Sequence, residues 1–352
     1  VGEGVAQRGG VHVPSEAALK FLQLVAQHYP ENPYHSFSHA LDVGHTLWTM
    51  LRVARAGEYL SGLDQFSLLV SAASHDVGHP GVSNQFLVQT GHELALRYND
   101  HSPLENMHCA RTFGLASTPG ANVFEGLSRS DFFESRRICI EAILHTDMVH
   151  HFDMIREAQV LYQMNLEALG TDPAGLFHEK GARQKVLNLF LHAADVSNPC
   201  KPWAICQQWA HRVLEEFFAQ GDREKQLGIP VQMLNDRTKV NRPFSQIGFI
   251  EFMIVPLVAA KVKLFPMMYE LTEFLQSNMQ EWRRLWNEEE TPSDEERDKV
   301  AARVRKASDA LTGAREECAR THLWSGAEFA GDVAQEREPR RASSHGPSEA
   351  GP

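Results

Sequence analysis

Apolar residues recur at helical spacing wherever a pattern can be read in this chain, and strand-like alternation bounded by turn residues is almost absent. Ala18, Phe21, Leu22 and Val25 form one stripe; Ala40, Val43, Leu47, Met50, Leu51 and Ala54 form another. Turn formers and helix breakers at Gly62, Pro80-Gly81, Pro119-Gly120, Asp172-Pro173, Pro199, Pro202 and Gly228-Pro230 cut the pattern into helices of ordinary length. With 352 residues there is ample apolar material for a core, so the expectation is an all-α domain without internal repeats.

Composition shifts set the boundaries. Residues 1–14, Gly-containing and polar up to Gly10, read as a linker, and a start at Val1 suggests a fragment of something longer. The main domain spans 15–290. Beyond Trp286 the chain turns acidic, and Ser293 with Glu296 has the spacing of a capping box opening a helical extension over 291–324. Val300, Val304, Ala307 and Leu311 give that helix one apolar stripe. Docking on the core is its plainer use, and pairing with a second copy in a homodimer is the alternative. Residues 325–352 lack the apolar content to order themselves and read as a disordered tail.

A formal net charge of −11, from 34 basic and 45 acidic residues, leaves no general positive field for nucleic acid or anionic lipid. Any anionic ligand therefore needs local cations. Five cysteines without CxxC spacing fit a reduced, cytoplasmic setting better than a disulfide framework. The longest apolar stretch, Ile247 to Ala260, is interrupted by Glu251 and Pro256, so neither a membrane span nor a signal peptide is expected.

Chemistry concentrates in the histidines and a few carboxylates. His35 and His39 in NPYHSFSH stand four apart, and His75 and His79 in SHDVGHPG repeat the spacing, so each pair would share a face if helical. Two such imidazole pairs suggest a metal site. Asp76 beside His75 can serve the same cation and leave its second oxygen free to bridge to another. Asp195 ends the apolar run from Val186 to Ala194, where an ionised carboxylate needs a cation or strong donors opposite it; a helix-terminus role before Pro199 is the bland alternative. Glu105 and His108 would share a helix face, and Thr146 with Asp147 supplies further oxygens.

The strings NPYHSFSH, SHDVGHPG, YNDHSPLEN, TDM, HAADVSNP, EEFFAQGDRE and SQIGFIEF, in this order and spacing, resemble the class I 3′,5′-cyclic-nucleotide phosphodiesterases from roughly Ser15 to Trp286. The resemblance implies a compact, all-α, HD-type domain of about fifteen helices. It implies that His39, His75, Asp76 and Asp195 bind a tight metal, usually Zn²⁺, and that Asp76 bridges to a second, usually Mg²⁺ or Mn²⁺. His79, Glu105, His108 and Thr146 would hold the second metal's waters. It further implies in-line attack on phosphorus by a hydroxide shared between the metals, with His35, held by Glu216, protonating the departing O3′. The product would be the 5′-monophosphate of cAMP or cGMP. Gln246 resembles the amide that reads the purine edge and Phe249 the ring that stacks on it, with Val213 as the opposing clamp and Tyr34 and Asn198 completing the substrate site.

Departures from the family pattern limit what transfers. Ser36 replaces an asparagine and Met107 the first of a histidine pair, yet neither touches a presumed metal ligand. Cys206 stands where relatives often place a tyrosine or glutamine beside the purine-reading amide, which leaves base preference open. SNP after Asp195 leans towards cAMP-preferring relatives, whereas KLFPM from Lys263 to Met267 is similar to a cGMP-preferring one. Two rival functions share parts of the pattern: another HD-type nucleotide phosphohydrolase, and a cyclic-nucleotide sensor without turnover. In the tail, Arg340-Arg341-Ala342-Ser343 has the basic pair that cAMP-dependent protein kinase prefers, making Ser343 a candidate phosphorylation site or a chance string.

Overall fold

The computed structural model describes residues 11–171 and 173–321, and no strand occurs among them. Twelve helices of eight residues or more carry the fold: α1 (Ser15–His28), α2 (Phe37–Val53), α3 (Gly62–Ser74), α4 (Pro103–Ala116), α5 (Arg129–Leu144), α6 (His151–Met164), α7 (Lys180–Asp195), α8 (Trp203–Leu227), α9 (Arg242–Phe249), α10 (Val255–Leu264), α11 (Glu273–Glu290) and α12 (Asp294–Thr321). Shorter helices at Asn84–Gln89, Glu93–Arg97, Leu166–Thr171 and Pro173–Leu176 fill connections. Residues 11–14 lack regular secondary structure. The remainder of the expected linker and the 325–352 tail with Ser343 lie outside the described residues.

Local chemistry marks the helix ends. Ser61 and Asp64 cap α3 reciprocally, and Ser128 and Asn241 accept backbone N–H groups at the starts of α5 and α9. Ser293 and Glu296 form the capping box expected at the head of α12, with Glu296 accepting from both the Ser293 backbone and its hydroxyl. Gly228, at φ 67°, ends α8 in the left-handed region that only glycine enters without strain.

Helix α7 sits at the centre of the largest core. Every residue from Val186 to Ala194 is buried, against α2, α3, α5, α6 and α10. From Val186 on, the helix is buried on every side until its last residue, the half-buried Asp195. A second core packs α8, α9, α10, α11 and α12 around Trp282 and Trp286. Val300, Val304, Ala307 and Leu311 are all buried in it, so the α12 stripe docks on its own chain. Between α9 and α10 the chain makes a π-helical turn, Ile250–Ile254. The wider turn relieves the clash that Pro256 would impose on an uninterrupted α-helix. The apolar stretch from Ile247 is thus core, and no helix among the described residues is long and apolar enough to cross a membrane.

Candidate metal centre and active site

Helix ends and turns, rather than a shared helix face, bring the histidines together. His35 precedes α2, and His39 lies in its first turn. His75 is the residue that follows α3, and Asp76 to His79 form a turn. Gly78 makes that turn possible: its φ is +80°, and a Cβ there would lie 1.7 Å from an Arg111 guanidinium nitrogen. The four-residue spacings, readable as helix faces, are therefore met by two different local geometries. Glu105 and His108 do lie on one helix, α4, and Thr146 and Asp147 follow α5.

Four of the expected side chains converge. His39, His75, Asp76 and Asp195 each place one donor atom within 4.8 Å of the others. His39 Nε2 lies 2.9 Å from Asp195 Oδ1 and 3.7 Å from Asp76 Oδ2. His75 Nε2 lies 3.1 Å from Asp76 Oδ2 and 3.4 Å from Asp195 Oδ1. Donors held roughly 2.0–2.2 Å from one cation, at tetrahedral or octahedral angles, stand roughly 3.0–3.5 Å apart, and these imidazole–carboxylate separations lie close to that range. The tautomer agrees. His75 donates Nδ1–H to the Ala72 carbonyl at 3.0 Å, which turns a lone pair on buried, unpartnered Nε2 towards two carboxylates. A lone pair facing anions is balanced by a positive charge between them, a cation or a proton on the ring. Without a cation, the His75 pKa is pushed well up: burial works against the rise, but Asp76 and Asp195 outweigh it. The residues present thus fit a divalent cation.

Beside this set, His35, His79 and Glu216 form a second group. Glu216, on α8, accepts the backbone N–H groups of Tyr34 at 3.0 Å and His35 at 3.1 Å on one oxygen, and His35 Nδ1–H on the other. Three donors fix the carboxylate, and the carboxylate fixes the ring. Burial pushes the His35 pKa down, but the charges of Glu216, Asp76 and Asp195 overcome it and raise it to about 9. The His35 ring stacks on His79 with centroids 3.8 Å apart.

His79 and His108 have opposite polarity. His79 Nδ1 accepts the Gly81 N–H at 3.0 Å, so the neutral ring carries its proton on Nε2 and is a donor. His108 donates Nδ1–H to the Val77 carbonyl at 3.0 Å, leaving Nε2, 3.8 Å from Asp76 Oδ1, as a buried acceptor without a partner among the described residues. Burial holds both rings neutral, His108 down to about 4. Glu105 is pushed up to about 8 by burial and by Asp147.

Three supporting residues have no spacing signature in the sequence. Asn32 donates both amide protons, to the carbonyls of His35 at 3.0 Å and His79 at 2.7 Å, tying the two histidine segments together. Tyr29 accepts the Asp76 N–H at 3.2 Å. Asn84 donates to Glu105 at 2.8 Å and Asp147 at 3.2 Å. Only Asn32 falls inside a recognised string; the other two act through backbone and carboxylate contacts that linear order does not reveal.

Of the expected substrate residues, Tyr34 and Asn198 are joined by a 2.8 Å hydrogen bond from the Asn198 amide to the phenol oxygen. Gln246 is buried and Phe249 half-buried on α9, which packs against α8, where Val213 is half-buried. Phe249 also packs against the second core, which includes fully buried Cys206. Thr146 is buried, its hydroxyl donating to the Ile143 carbonyl at 2.7 Å.

Residues 34–275 match the family model of 3′,5′-cyclic nucleotide phosphodiesterases. The chain is 37% identical over 246 residues to a dual specificity calcium/calmodulin-dependent 3′,5′-cyclic nucleotide phosphodiesterase 1B of Cricetulus griseus, covering 69% of this chain and 44% of that protein. It is 35% identical over 273 residues to a 3′,5′-cyclic-AMP phosphodiesterase 4C of Rattus norvegicus, covering 77% and 50%. The chain thus spans half or less of these relatives' length. The crystal structure of the phosphodiesterase domain of Salpingoeca rosetta rhodopsin phosphodiesterase superposes with a TM-score of 0.74 at 30% identity, covering 78% of this chain and 82% of that one.

Proposed function

The chain belongs to the 3′,5′-cyclic nucleotide phosphodiesterase family, and from that premise we propose that it hydrolyses cAMP and cGMP to their 5′-monophosphates. The observation that carries the reading is the set His39, His75, Asp76 and Asp195, whose donor atoms gather within 4.8 Å with imidazole–carboxylate separations of 2.9–3.7 Å, as ligands of one cation would. Those four would hold the tighter ion, Zn²⁺ by its mix of imidazole and carboxylate, and Asp76 would reach a second ion, Mg²⁺ or Mn²⁺. Bound there, two divalent ions would supply the positive charge that eases loss of a proton from water and attack on an anionic phosphate.

The remaining roles belong to side chains. Deprotonated acceptors such as His108 Nε2 and donors such as His79 Nε2–H would orient water on the second ion, with Glu105 and Thr146 beside them. His35, oriented by Glu216, would give its proton to the leaving O3′. When a cation takes up the charge of Asp76 and Asp195, Glu216 is the carboxylate that keeps His35 protonated. Tyr34 and Asn198 would line the substrate site, and Gln246, Phe249 and Val213 would hold the purine.

Relatives named for cAMP alone and for dual specificity match at nearly equal identity. Buried Cys206 offers only a weak donor where relatives often place a stronger anchor for the purine-reading amide. An amide free to present either edge suits adenine and guanine alike, so kcat/KM for the two cyclic nucleotides is expected to agree within about tenfold. Incubation with each nucleotide and Mg²⁺, followed by chromatography, should yield 5′-AMP and 5′-GMP. Phosphate released from 5′-monophosphates without ring opening would instead assign a different HD-type phosphohydrolase, and binding without product a sensor.

A further inference from the structure

One cavity plays no part in the proposed hydrolysis. It has a volume of about 140 Å³ and lies between α2, the C-terminal end of α7 and α10, behind the segment that follows Asp195. Met50, Val196, Leu257 and Val258 give it largely apolar walls. Exposed His45 and half-buried Thr46 and Thr49 mark its side towards solvent.

Lys261 lines the same cavity, yet the residue is only 2% exposed. Among the described residues no carboxylate pairs with it and no acceptor takes a hydrogen bond from its ammonium; the titratable group that bears on it is the Cys200 thiol. The adjacent Lys201 is different, being paired with Asp42 at 2.8 Å and with the Thr46 hydroxyl. The Ser197 hydroxyl, also in the lining, is buried without a hydrogen-bond partner among the described residues. An ammonium held in such surroundings without a counter-charge is costly, and burial lowers its pKa accordingly.

A buried cation and an unpaired hydroxyl against largely apolar walls make a matched site, with His45, Thr46, Thr49 and the Asp42-paired Lys201 also in the lining. We propose that this cavity binds a small monocarboxylate with an apolar body, its carboxylate on Lys261 and Ser197 and its body against Leu257 and Val258. An apolar cavity of about 150 Å³ accepts benzene, so a body of ring size is the most this one holds, with the carboxylate reaching past it to Lys261 and Ser197. Phosphate or sulfate fits less well, because the walls made by Met50, Val196, Leu257 and Val258 offer their oxygens nothing.

Benzoate and its neutral counterpart benzamide are suitable probes, read by thermal melting of the full chain. Benzoate should raise the melting temperature saturably, by about 2 °C at several times its dissociation constant, and benzamide should not. The rise should vanish in Lys261→Met and persist in wild-type protein stripped of metals. No rise with benzoate, or an equal rise with benzamide, would overturn the assignment. So would a rise that survives in Lys261→Met or disappears on chelation, since benzoate would then be sitting elsewhere, on the metals in the second case. If Lys261→Met does not fold, the probe comparison and the chelation arm in the wild type still decide.

Discussion

At the scale of single residues, the proposed acid role of His35 turns on its pairing with Glu216. Glu216 is locked by two backbone N–H groups and by His35 Nδ1–H, so its charge stays where it raises the imidazole pKa. The sign follows directly: removing the charge favours the neutral ring, so the acid form disappears at a lower pH. In Glu216→Gln the alkaline limb of the kcat/KM profile should move down by about 1–2 pH units. An unmoved limb would remove His35 from the acid role. His35, His39, His75, Asp76 and Asp195 are legible in the sequence because few other residues do their chemistry and their strings are distinctive. The roles of Asn32, Tyr29 and Asn84 are not, even for Asn32 inside a distinctive string, because a hydrogen bond to a distant backbone group or carboxylate is made by tertiary proximity alone.

Among the elements, helix termini do most of the positioning. The spacing of His75 and His79 reads equally well as a helix face, but Gly78 turns the chain, and the real geometry depends on a glycine that periodicity does not weigh. Asp195 is the contrary case: an apolar run that ends in a carboxylate announces a buried helix delivering a charged tip, and α7 does so. Helix α8 carries Glu216 and is itself braced. Glu224 accepts from Gln220 at 2.7 Å, from Asn235 at 3.0 Å and from the Gln232 backbone at 3.0 Å, which draws the 232–235 segment across Gly221. A Cβ on Gly221 would lie 2.0 Å from the Asn235 carbonyl oxygen. Gly221→Ala should therefore lose about 1–3 kcal/mol of stability in chemical denaturation, despite the better helix propensity of alanine. A variant as stable as the wild type would show that this contact yields freely.

Over the whole molecule, two cores share α10, and α12 closes the second. The α12 stripe is legible in the sequence, but its partner is not, because Val300, Val304, Ala307 and Leu311 would look the same facing another copy of the chain. The fold settles it within the described residues, with Val304 fully buried beside the α10 and α11 side chains of the second core. Val304→Asp places a charge there without a partner, and should cost several kcal/mol, roughly, seen as a lowered melting temperature that does not depend on protein concentration. A loss that dilution reproduces in the wild type would instead mean that the stripe is held by a second chain.

The central claim is that cations gathered by imidazoles and carboxylates from α2, α7 and the turn after α3 are indispensable to turnover. Its most direct test is cyclic-nucleotide hydrolysis before and after removal of divalent metals. Turnover should fall to background in excess chelator and return when Zn²⁺ and Mg²⁺ are restored. Undiminished hydrolysis by demonstrably metal-free protein would contradict it.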